Sequence, residues 1–519
     1  MHHLTTLGTW VATVDTIPDD VRRAARAQML DMAAAASATA RTGIAKPVVD
    51  AVAAMGSSGR STSLADGARL APVEAAIVNA ALSMAHDFDD IVWMGHTCHS
   101  AVFAALAVGE HLGSTTAEVV DAVVVANEVA GRLGASSLLG PLNGQMWTFV
   151  HLIGAAAAGA RLLRLDAERT THALAIALAQ PNFGLQPGFL RPTSKLLAAS
   201  TPTATGVRAA FFARAGMTGA PELLEDPRGF WARFSFLPLP GMLGDLGELW
   251  VLRTLAVKTY PGCHYFQTAL AALDKILARQ PELPRASVRR VRADTTKLGM
   301  EATRFATDSV AGGEWTAVSV NFDLAQSLAV MLHARAMDVE QLEDGWLRAN
   351  GAELRAWRGL IEVRHDLELT ARTIASGQRI RAGRSALRSI AAMDLVRLVQ
   401  QYRREYRSNL VMPTDLVGLV RAVSRRRRRK EQPEATSRAI PLDFPNRVTI
   451  ELASGQILQE QVDTPPGSLS CPDFERVLET KALRELGSRM GEARARQAID
   501  ATWTLAAEPA TSLAATWVA

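Results

Sequence analysis

Carboxylate and imidazole side chains crowd into one short segment of an otherwise apolar region. Between residues 86 and 100 the chain carries three aspartates and three histidines, which are His86, Asp87, Asp89, Asp90, His96 and His99. The regions around this segment, such as 32–40 and 154–160, are rich in alanine and predict packed helices. A carboxylate that is buried without a partner is strongly destabilising. We therefore expect this segment to carry out chemistry.

Three roles fit these residue types. Aspartate and histidine are common general acids and bases, and the same groups bind Mg²⁺, Mn²⁺ or Zn²⁺. An Asp-rich box in a helical protein is also typical of metal-dependent prenyl-diphosphate enzymes, although no convincing second metal box follows residues 127–132. The plain alternative is a solvated helix end, because acids are common in loops. The residue pattern by itself leaves these alternatives open.

Two lysines, Lys195 and Lys258, lie in Pro-flanked apolar segments rather than on charged faces. A single lysine of this kind is more often a surface residue, but its ammonium group is a compact charge that can neutralise a carboxylate. Together with an acid/base centre, the two lysines favour an anionic substrate. The nearby Cys263 and His264 suggest a thiol nucleophile, yet no orienting base can be identified, and a packed cysteine is the expected state.

Helical patterns place this chemistry at a helix end. The run 71–86 has Pro72 near its start and delivers His86 and Asp87 at its C-terminal end. Further helices are predicted at 18–40, 101–111, 116–133, 152–163 and 167–179. Strands are predicted at 287–293, 315–322, 360–365, 447–452 and 456–462, the last two as a hairpin. The pattern predicts a mainly α fold, with a large all-helical domain and a smaller α/β domain.

The length of 519 residues is too great for one hydrophobic core. We predict a helical domain at 1–268 and an α/β domain at 269–468, which carries an Arg-rich insertion at about 371–440. A C-terminal helical segment at 469–519 is expected to return to the helical domain, because chain ends often lie close together.

The charge and the cysteine content of the chain limit the classes of partner and the cellular compartment that we expect. The net charge is only +4, and much of the basic character comes from the run 425–430. Such a run could contact nucleic acid or an acidic partner, but it is more often a solvated loop, and no interleaved aromatics suggest base stacking. Three widely spaced cysteines argue against a disulfide framework. With no secretory pattern and no apolar run of about 18 residues, we expect a cytoplasmic protein that binds neither membrane nor nucleic acid.

Several ordered blocks resemble the MmgE/PrpD family, which contains methylcitrate dehydratases and cis-aconitate decarboxylases. The blocks are His86-Asp-Phe-Asp-Asp, His99-Ser-Ala-Val, Asn127-Glu-Val-Ala-Gly-Arg-Leu-Gly, Gly154-Ala-Ala-Ala-Ala, Lys195, Gly219-Ala-Pro-Glu-Leu-Leu-Glu-Asp-Pro-Arg-Gly-Phe and Lys258-Thr-Tyr-Pro-Gly-Cys. The resemblance covers residues 1 to about 335, and also 445–505. Singly the blocks are weak, but together they are specific.

The resemblance implies a large helical domain with a smaller α/β lid domain, usually in a homodimer. It also implies cofactor-free chemistry on carboxylate substrates, in which a proton is removed next to a carboxylate and water or carbon dioxide is lost. By this pattern Asp87 matches an acid/base residue, while Lys195 and Lys258 line the same pocket. His96 and His99 lie near the position of the family's histidine.

Four positions depart from the family pattern. Ile91 replaces a threonine, and Thr97-Cys-His-Ser replaces His-Pro-Ser, which leaves the register between His96 and His99 open. Gln145 stands where relatives place a histidine, with His151 nearby, and Gln326 stands where a lid tyrosine is expected. Because histidine titrates near neutral pH, its loss argues against dehydration of a citrate-type substrate.

The sequence therefore predicts a cofactor-independent lyase or isomerase of MmgE/PrpD type, a specialised biosynthetic relative that acts on a small carboxylate or carbonyl compound. The predicted catalytic residues are Asp87, His96, His99, Lys195 and Lys258, and the predicted substrate-binding residues are Gln145, His151, Cys263, His264 and Gln326, with no metal ligand. The alternatives are a metal-dependent enzyme that uses the Asp/His cluster, or an inactive protein that binds a partner through the Arg-rich insertion.

Overall fold

A computed structural model describes residues 2–93, 95–141, 147–190, 193–309, 315–377 and 439–518, together with isolated positions between 394 and 404. Most of the predicted Arg-rich insertion, including the basic run 425–430, lies outside the described residues. Within these ranges, none of the helices combines the length and apolar character that crossing a bilayer requires.

Helices dominate the chain from His3 to Arg279. They are α1 (His3–Thr13), α2 (Asp19–Thr42), α3 (Lys46–Ala54), α4 (Pro72–Met84), α5 (Cys98–Leu112), α6 (Thr116–Ser136), α7 (Thr148–Leu162), α8 (Ala167–Ala179), α9 (Gln186–Phe189), α10 (Leu197–Arg214), α11 (Phe230–Phe234) and α12 (Gln267–Arg279). Short 3₁₀ turns lie at Ser194–Leu196, Pro240–Leu243, Val251–Thr254 and His264–Phe266. The predicted helices are all present, with small shifts at their ends.

Small side chains let these helices pack closely. Helix α7 packs against α5, α6 and α10, and its alanines 155–158 are fully buried. At Gly206 of α10, an added Cβ atom would overlap the carbonyl oxygen of Leu152 in α7. Glycine and alanine at such crossings bring the two backbones close together.

Two very short antiparallel strand pairs lie among the helices. One joins β1 (Ser61–Thr62) to β2 (Arg69–Leu70), and the other joins β3 (Asp90–Ile91) to β4 (Ala256–Val257). The second pair connects segments that are far apart in sequence, and it lies directly beside the acidic segment.

A four-stranded sheet forms the smaller α/β region. Its strands are β5 (Val288–Thr295), β6 (Ile361–His365), β7 (Asn446–Leu452) and β8 (Ile457–Val462), in the order β6-β5-β7-β8. Strands β5 and β6 are parallel and the other neighbours are antiparallel. The predicted hairpin β7–β8 is confirmed, and its turn contains Gly455 at a φ of 86°, where glycine is favoured.

Among the described residues, five helices lie between β5 and β7 in the chain. They are α13 (Lys297–Ser309), α14 (Ala317–Phe322), α15 (Leu324–Ala334), α16 (Asp344–Arg358) and α17 (Leu367–Gly377), with 3₁₀ turns at Arg285–Ser287 and Val339–Leu342. Of these helices, α13 and α15 pack against the sheet together with α12. Val291, Val448 and Ile450 of the sheet share a core with Leu328 of α15. The chain is therefore mainly α with a smaller α/β region, as predicted.

The strand predicted at 315–322 is wrong, because residues Ala317–Phe322 form helix α14. Its alternating valines favoured a strand, but Thr316 caps a helix instead: its hydroxyl accepts a hydrogen bond from the backbone nitrogen of Ser319 at 3.1 Å. The Ser319 hydroxyl in turn accepts from the Thr316 nitrogen at 2.9 Å. This reciprocal cap satisfies two backbone donors that would otherwise lack partners.

The chain ends in three helices, α18 (Phe474–Met490), α19 (Glu492–Thr504) and α20 (Ala510–Thr516). Helix α18 packs along α2, and its Leu478 and Leu486 share a core with Val21 and Met29. The C-terminal helices thus contact the N-terminal helices, while the predicted domain boundaries at 268 and 468 stay predictions.

A buried ion pair on α6 gives the block 127–132 a structural role. The Arg132 guanidinium lies 3.0 Å from Glu128, and neither side chain is exposed. Arg132 also donates to the Leu249 carbonyl at 2.5 Å, and Glu128 accepts from the Val251 nitrogen at 2.5 Å. The pair thereby fixes the loop that leads to β4.

The substitution Arg132→Met tests this ion pair. It leaves the Glu128 carboxylate buried without its cation, so we expect the free energy of unfolding to fall by about 3 kcal/mol. Urea unfolding measures this change. The control Lys46→Met removes an exposed pair with Asp50 on α3 and should change stability by less than about 1 kcal/mol. Equal losses in the two variants would show that burial of the Glu128–Arg132 pair is not stabilising.

Candidate active site

The acidic segment forms a buried loop between α4 and β3, here called the acid loop (residues 85–90). Helix α4 ends at Met84, and Asp87 takes a φ of 53°, which is uncommon for a residue other than glycine. The loop carbonyls accept hydrogen bonds from side chains of other elements. These bonds run from Asn321 to the oxygen of His86 (3.1 Å), from Lys258 to that of Asp87 (2.8 Å), from Lys481 to that of Phe88 (2.6 Å) and from His96 to that of Asp90 (3.1 Å). Distant parts of the chain therefore define the conformation of this loop.

Two buried lysine–aspartate ion pairs lie side by side in the loop. The Lys195 ammonium lies 2.7 Å from Asp87 Oδ1, and the Lys258 ammonium contacts Asp89 Oδ1. All four side chains are fully buried. In such surroundings charge-assisted hydrogen bonds are strong, and neither member of a pair can be lost without leaving an isolated charge.

The elements that supply the two lysines explain this arrangement. Lys258 follows β4 directly. The backbone nitrogen of Lys258 donates a hydrogen bond to the Asp89 carbonyl at 3.2 Å, which extends the pairing of β4 with β3 by one residue. Lys195 lies in the 3₁₀ turn before α10 and also donates to the Met84 carbonyl, at 3.0 Å. Lys195 therefore caps the end of α4 while it pairs with Asp87.

The two ion pairs differ in their electrostatics. Burial lowers the pKa of Lys195 despite the neighbouring Asp87 carboxylate. Burial opposes the charge of Lys258 as well, but the carboxylates of Asp89 and Asp87 bring its pKa above the usual value. Burial alone would raise the pKa of Asp89, yet the Lys258 ammonium and the adjacent imidazoles hold it well below its usual range. Lys195 is thus the lysine that gives up a proton more readily.

The two candidate histidines both contact Asp89, but they differ in whether a ring nitrogen is left to exchange a proton with a substrate. His96 Nδ1 lies 2.5 Å from Asp89 Oδ2, and the residue is 7% exposed. His99 Nε2 lies 3.3 Å from the same oxygen, its Nδ1 is 2.8 Å from the Ser83 hydroxyl, and the ring is fully buried. Burial lowers the pKa of His96 despite Asp89, which favours the neutral ring. With Nδ1 directed at a carboxylate, Nε2 of His96 is the nitrogen left to accept a proton.

Two more imidazoles border this cluster. The His151 ring lies 5.6 Å from that of His99, and its buried Nε2 has no hydrogen-bond partner among the described residues. Neither ring nitrogen of His264 has a hydrogen-bond partner among the residues that the structure describes, and the His264 ring packs edge-on against Phe444. Burial brings the pKa of both histidines well below its usual value, so both are neutral at pH 7. Buried polar atoms without partners are candidates for ligand contacts.

The remaining predicted binding residues are Cys263, Gln326 and Gln145. Cys263 is buried beside it, where burial raises its pKa to about 12, so the thiol stays protonated and is no thiolate nucleophile. Gln326 is on α15, and its side-chain oxygen accepts from the Ser319 hydroxyl at 2.9 Å. Gln145 lies outside the described residues. The predicted roles of all these residues stay predictions.

The structure adds residues that the sequence did not single out. Asn321 of α14 donates to Asp87 Oδ2 at 3.0 Å, and Lys481 of α18 donates to the acid loop. Asp31 of α2 lies 2.8 Å from Lys481 and is fully buried. Only Asp31 left a signal in the sequence, as a single acid within the apolar run of residues 29–36.

Within the part of the chain that the structure describes, one group of residues has the types and spacing that bind metal ions. Single ligand atoms of Asp89, Cys98 and His99 lie within 4.8 Å of one another. The Asp89 carboxylate, however, already contacts the Lys258 ammonium, which repels a second cation. Burial also raises the pKa of the Cys98 thiol well above its usual value. These residues therefore do not fit a divalent metal ion.

Comparisons with known proteins agree with the resemblance seen in the sequence. Residues 5–238 match the MmgE/PrpD N-terminal domain. Two cis-aconitate decarboxylases, from Aspergillus terreus strain NIH 2624 / FGSC A1156 and from Aspergillus terreus, are each 27% identical to this chain over 288 residues. Each match covers 52% of this chain and 58% of the relative, so it spans little more than half of either protein.

His86 at the start of the acid loop makes stability depend on pH. Burial, followed by the charge of Lys195, lowers its pKa to about 4. The unfolded chain therefore binds a proton more readily than the folded protein, and the stability present above about pH 6.5 is lost as the pH falls towards 4.

On unfolding at acidic pH, the wild-type chain binds a proton at His86, and we expect His86→Gln to abolish this proton binding. In urea unfolding at several pH values, its slope of unfolding free energy against pH should be smaller than that of the wild type between about pH 6.5 and 4, by at most about 1.4 kcal/mol per unit. Above that range the difference between the two proteins should be constant. An unchanged slope would show that His86 is protonated equally in both states.

Proposed function

We propose that the protein is a lyase of MmgE/PrpD type, because residues 5–238 match the MmgE/PrpD N-terminal domain. In the proposed reaction, a proton is removed next to a carboxylate or carbonyl group of a small substrate. The observation that carries the proposal is the pair of buried ion pairs, Asp87–Lys195 and Asp89–Lys258, on one short loop. The name of the related cis-aconitate decarboxylases supports the same reaction class.

Fixed ammonium groups suit the charge that develops in this reaction. Removal of a proton next to a carboxylate moves an electron pair onto the carboxylate oxygens, which then carry the added negative charge. Lys195 and Lys258 are held in place before the substrate arrives, and each such donor contributes on the order of 3 kcal/mol to the transition state. In a dehydration, this electron pair then expels hydroxide from the adjacent carbon, and a general acid donates the proton with which it leaves as water. In a decarboxylation, the breaking C–C bond instead of a C–H bond supplies the electron pair as carbon dioxide leaves, and a general acid then donates a proton to the carbon.

Two groups are proposed for the proton transfer. The first is Asp87, whose carboxylate is proposed to take the proton from the substrate, with the Lys195 ammonium 2.7 Å away. The second is His96, which Asp89 orients so that Nε2 is available to the substrate. His99 has contacts on both ring edges and is proposed to support Asp89.

Further features are proposed from the family resemblance. They are chemistry without a cofactor, a homodimer, a cytoplasmic location and a specialised biosynthetic substrate. The reaction is proposed to be decarboxylation, dehydration or a rearrangement that begins with the same proton removal. His151 and His264 are proposed to bind the substrate through their buried nitrogen atoms.

Exchange of substrate hydrogen with solvent tests the proposed function. In D₂O, the wild-type protein should incorporate deuterium next to a carboxylate of cis-aconitate, citrate, methylcitrate or a related small acid, as followed by NMR. Asp87→Asn keeps the shape of the side chain but cannot take a proton, so incorporation should fall about 10³-fold. The control Asp121→Asn alters an acid of α6 that pairs with Arg22 of α2 and should leave incorporation unchanged. Wild-type exchange in Asp87→Asn would remove Asp87 from proton transfer.

The two histidines give a separate prediction. His96→Asn should lower turnover by about 10² to 10³-fold, because it removes the nitrogen that faces the substrate. His99→Asn should have a smaller effect on turnover and lower thermal stability, since it leaves the Ser83 hydroxyl and Asp89 without a buried contact. A larger loss of turnover in His99→Asn would assign the catalytic role to His99.

A further inference from the structure

We propose that Lys481, on helix α18 near the C-terminus, is a positioning residue that holds the acid loop in its active conformation. This inference rests on the proposed function for its catalytic consequence, although its structural part can be measured without a substrate. Lys481 is separated from the loop by 393 residues in the sequence, and it is 4% exposed. Its ammonium group contacts Phe88 and Asp31, so its proposed effect on the chemistry passes through the backbone of the acid loop.

Three contacts of the Lys481 ammonium group define its place. The group donates to the Phe88 carbonyl oxygen at 2.6 Å, lies 3.8 Å from the centre of the Phe88 ring, and lies 2.8 Å from Asp31 Oδ1. A cation over an aromatic face is attracted to the ring, and the attraction strengthens when water is excluded. Lys481 therefore contacts both the backbone and the side chain of Phe88.

That residue, Phe88, lies between Asp87 and Asp89 in the acid loop. Asp87 and Asp89 each pair with a lysine of the site, while the Phe88 ring packs with Ala38 of α2 and Val339 of the α/β region. The positive φ of Asp87 is a conformation that the local sequence does not favour. A contact at the Phe88 carbonyl therefore fixes the direction in which both carboxylates point.

A network behind the loop holds Lys481 in turn. Gln28 lies one turn before Asp31 on α2 and donates a hydrogen bond to Asp90 Oδ1 at 2.9 Å. Helix α2 therefore contacts Lys481 through Asp31 and the acid loop through Gln28. Asp31 Oδ2 and Asp90 Oδ2 are both buried without a partner among the described residues. Burial raises the pKa of both groups, to about 6 for Asp31, and the Asp31 carboxylate raises the pKa of Asp90 further. Lys481 supplies the cation that pairs with Asp31 in this network.

Removal of Lys481 alone would mix two effects, because Asp31 would be left without its cation. The double variant Lys481→Met/Asp31→Asn avoids this, since it removes the charge of both partners and keeps their approximate size. It still lacks the donor to the Phe88 carbonyl. The positioning role thus predicts that the second substitution restores stability but does not restore the loop.

Arg489 provides a matched control on the same helix. Its guanidinium donates to the carbonyls of Leu64 and Ala65 at 2.6 and 2.5 Å, so it also ties α18 to a backbone segment. That segment is not part of the acid loop. Arg489→Met should therefore lower stability without a specific effect at the site.

Amide hydrogen exchange of the full-length protein, followed by mass spectrometry, is the primary test. In the double variant, peptides that cover residues 84–91 and 256–264 should exchange about tenfold faster than in the wild type, while peptides of α7 and α10 should not change. Arg489→Met should leave the 84–91 peptide unchanged. Wild-type exchange at residues 84–91 in the double variant, or equal acceleration in Arg489→Met, would overturn the proposal.

The second measurement is of kcat and KM, with the acid that the wild-type protein is found to deprotonate as substrate. The double variant should show a kcat about 10²-fold lower with a nearly unchanged KM, because a small displacement of a catalytic group affects the transition state more than binding. Arg489→Met should retain both constants. A double variant that exchanges rapidly at residues 84–91 but keeps its kcat would overturn the catalytic part. If the wild type deprotonates no acid, the proposed function fails, and the exchange result still decides the structural part.

Discussion

Burial of the acid loop is the constraint on which the site depends. Three carboxylates follow one another within four residues, and none of them is exposed. Such a segment is stable only when each charge and each backbone carbonyl has a partner, because isolated buried charges are strongly unfavourable. Lys195 and Lys258 balance Asp87 and Asp89, while Asp90 faces the amide of Gln28. The local chain cannot supply these partners, so they come from elsewhere in the sequence.

This requirement explains features that would otherwise look incidental. The two-residue pairing of β3 and β4 is too short to stabilise a sheet, but it places Lys258 against Asp89. Helix α14 carries Asn321 from the α/β region to Asp87, so that region contributes directly to the site. Helix α18 packs along α2 and carries Lys481 to the back of the loop. The fold therefore brings several distant segments together at one point.

The sequence predicted the site better where residue types were unusual than where they were ordinary. Asp87, Lys195 and Lys258 could be identified because charged residues in apolar segments are rare, and the structure brings them together. Asn321 and Lys481 could not, because an asparagine in a short apolar run and a lysine on a charged helix are common, and only long-range contacts give them a role. The strand predicted at 315–322 was wrong because alternation of valines does not exclude a helix once Thr316 caps it.

The charge balance also bears on how a substrate would enter. Among the described residues of the site, Lys195 and Lys258 are balanced by Asp87 and Asp89, and burial lowers the pKa of His96, His151 and His264, which favours their neutral form. A substrate carboxylate that approaches Lys195 must compete with Asp87 for the same ammonium. Asp87 loses part of its stabilisation in that exchange and becomes a stronger base at the moment when substrate is bound. Under the proposed function, binding of the anion and activation of the base are then one event, which keeps the buried carboxylate paired until there is a proton to remove.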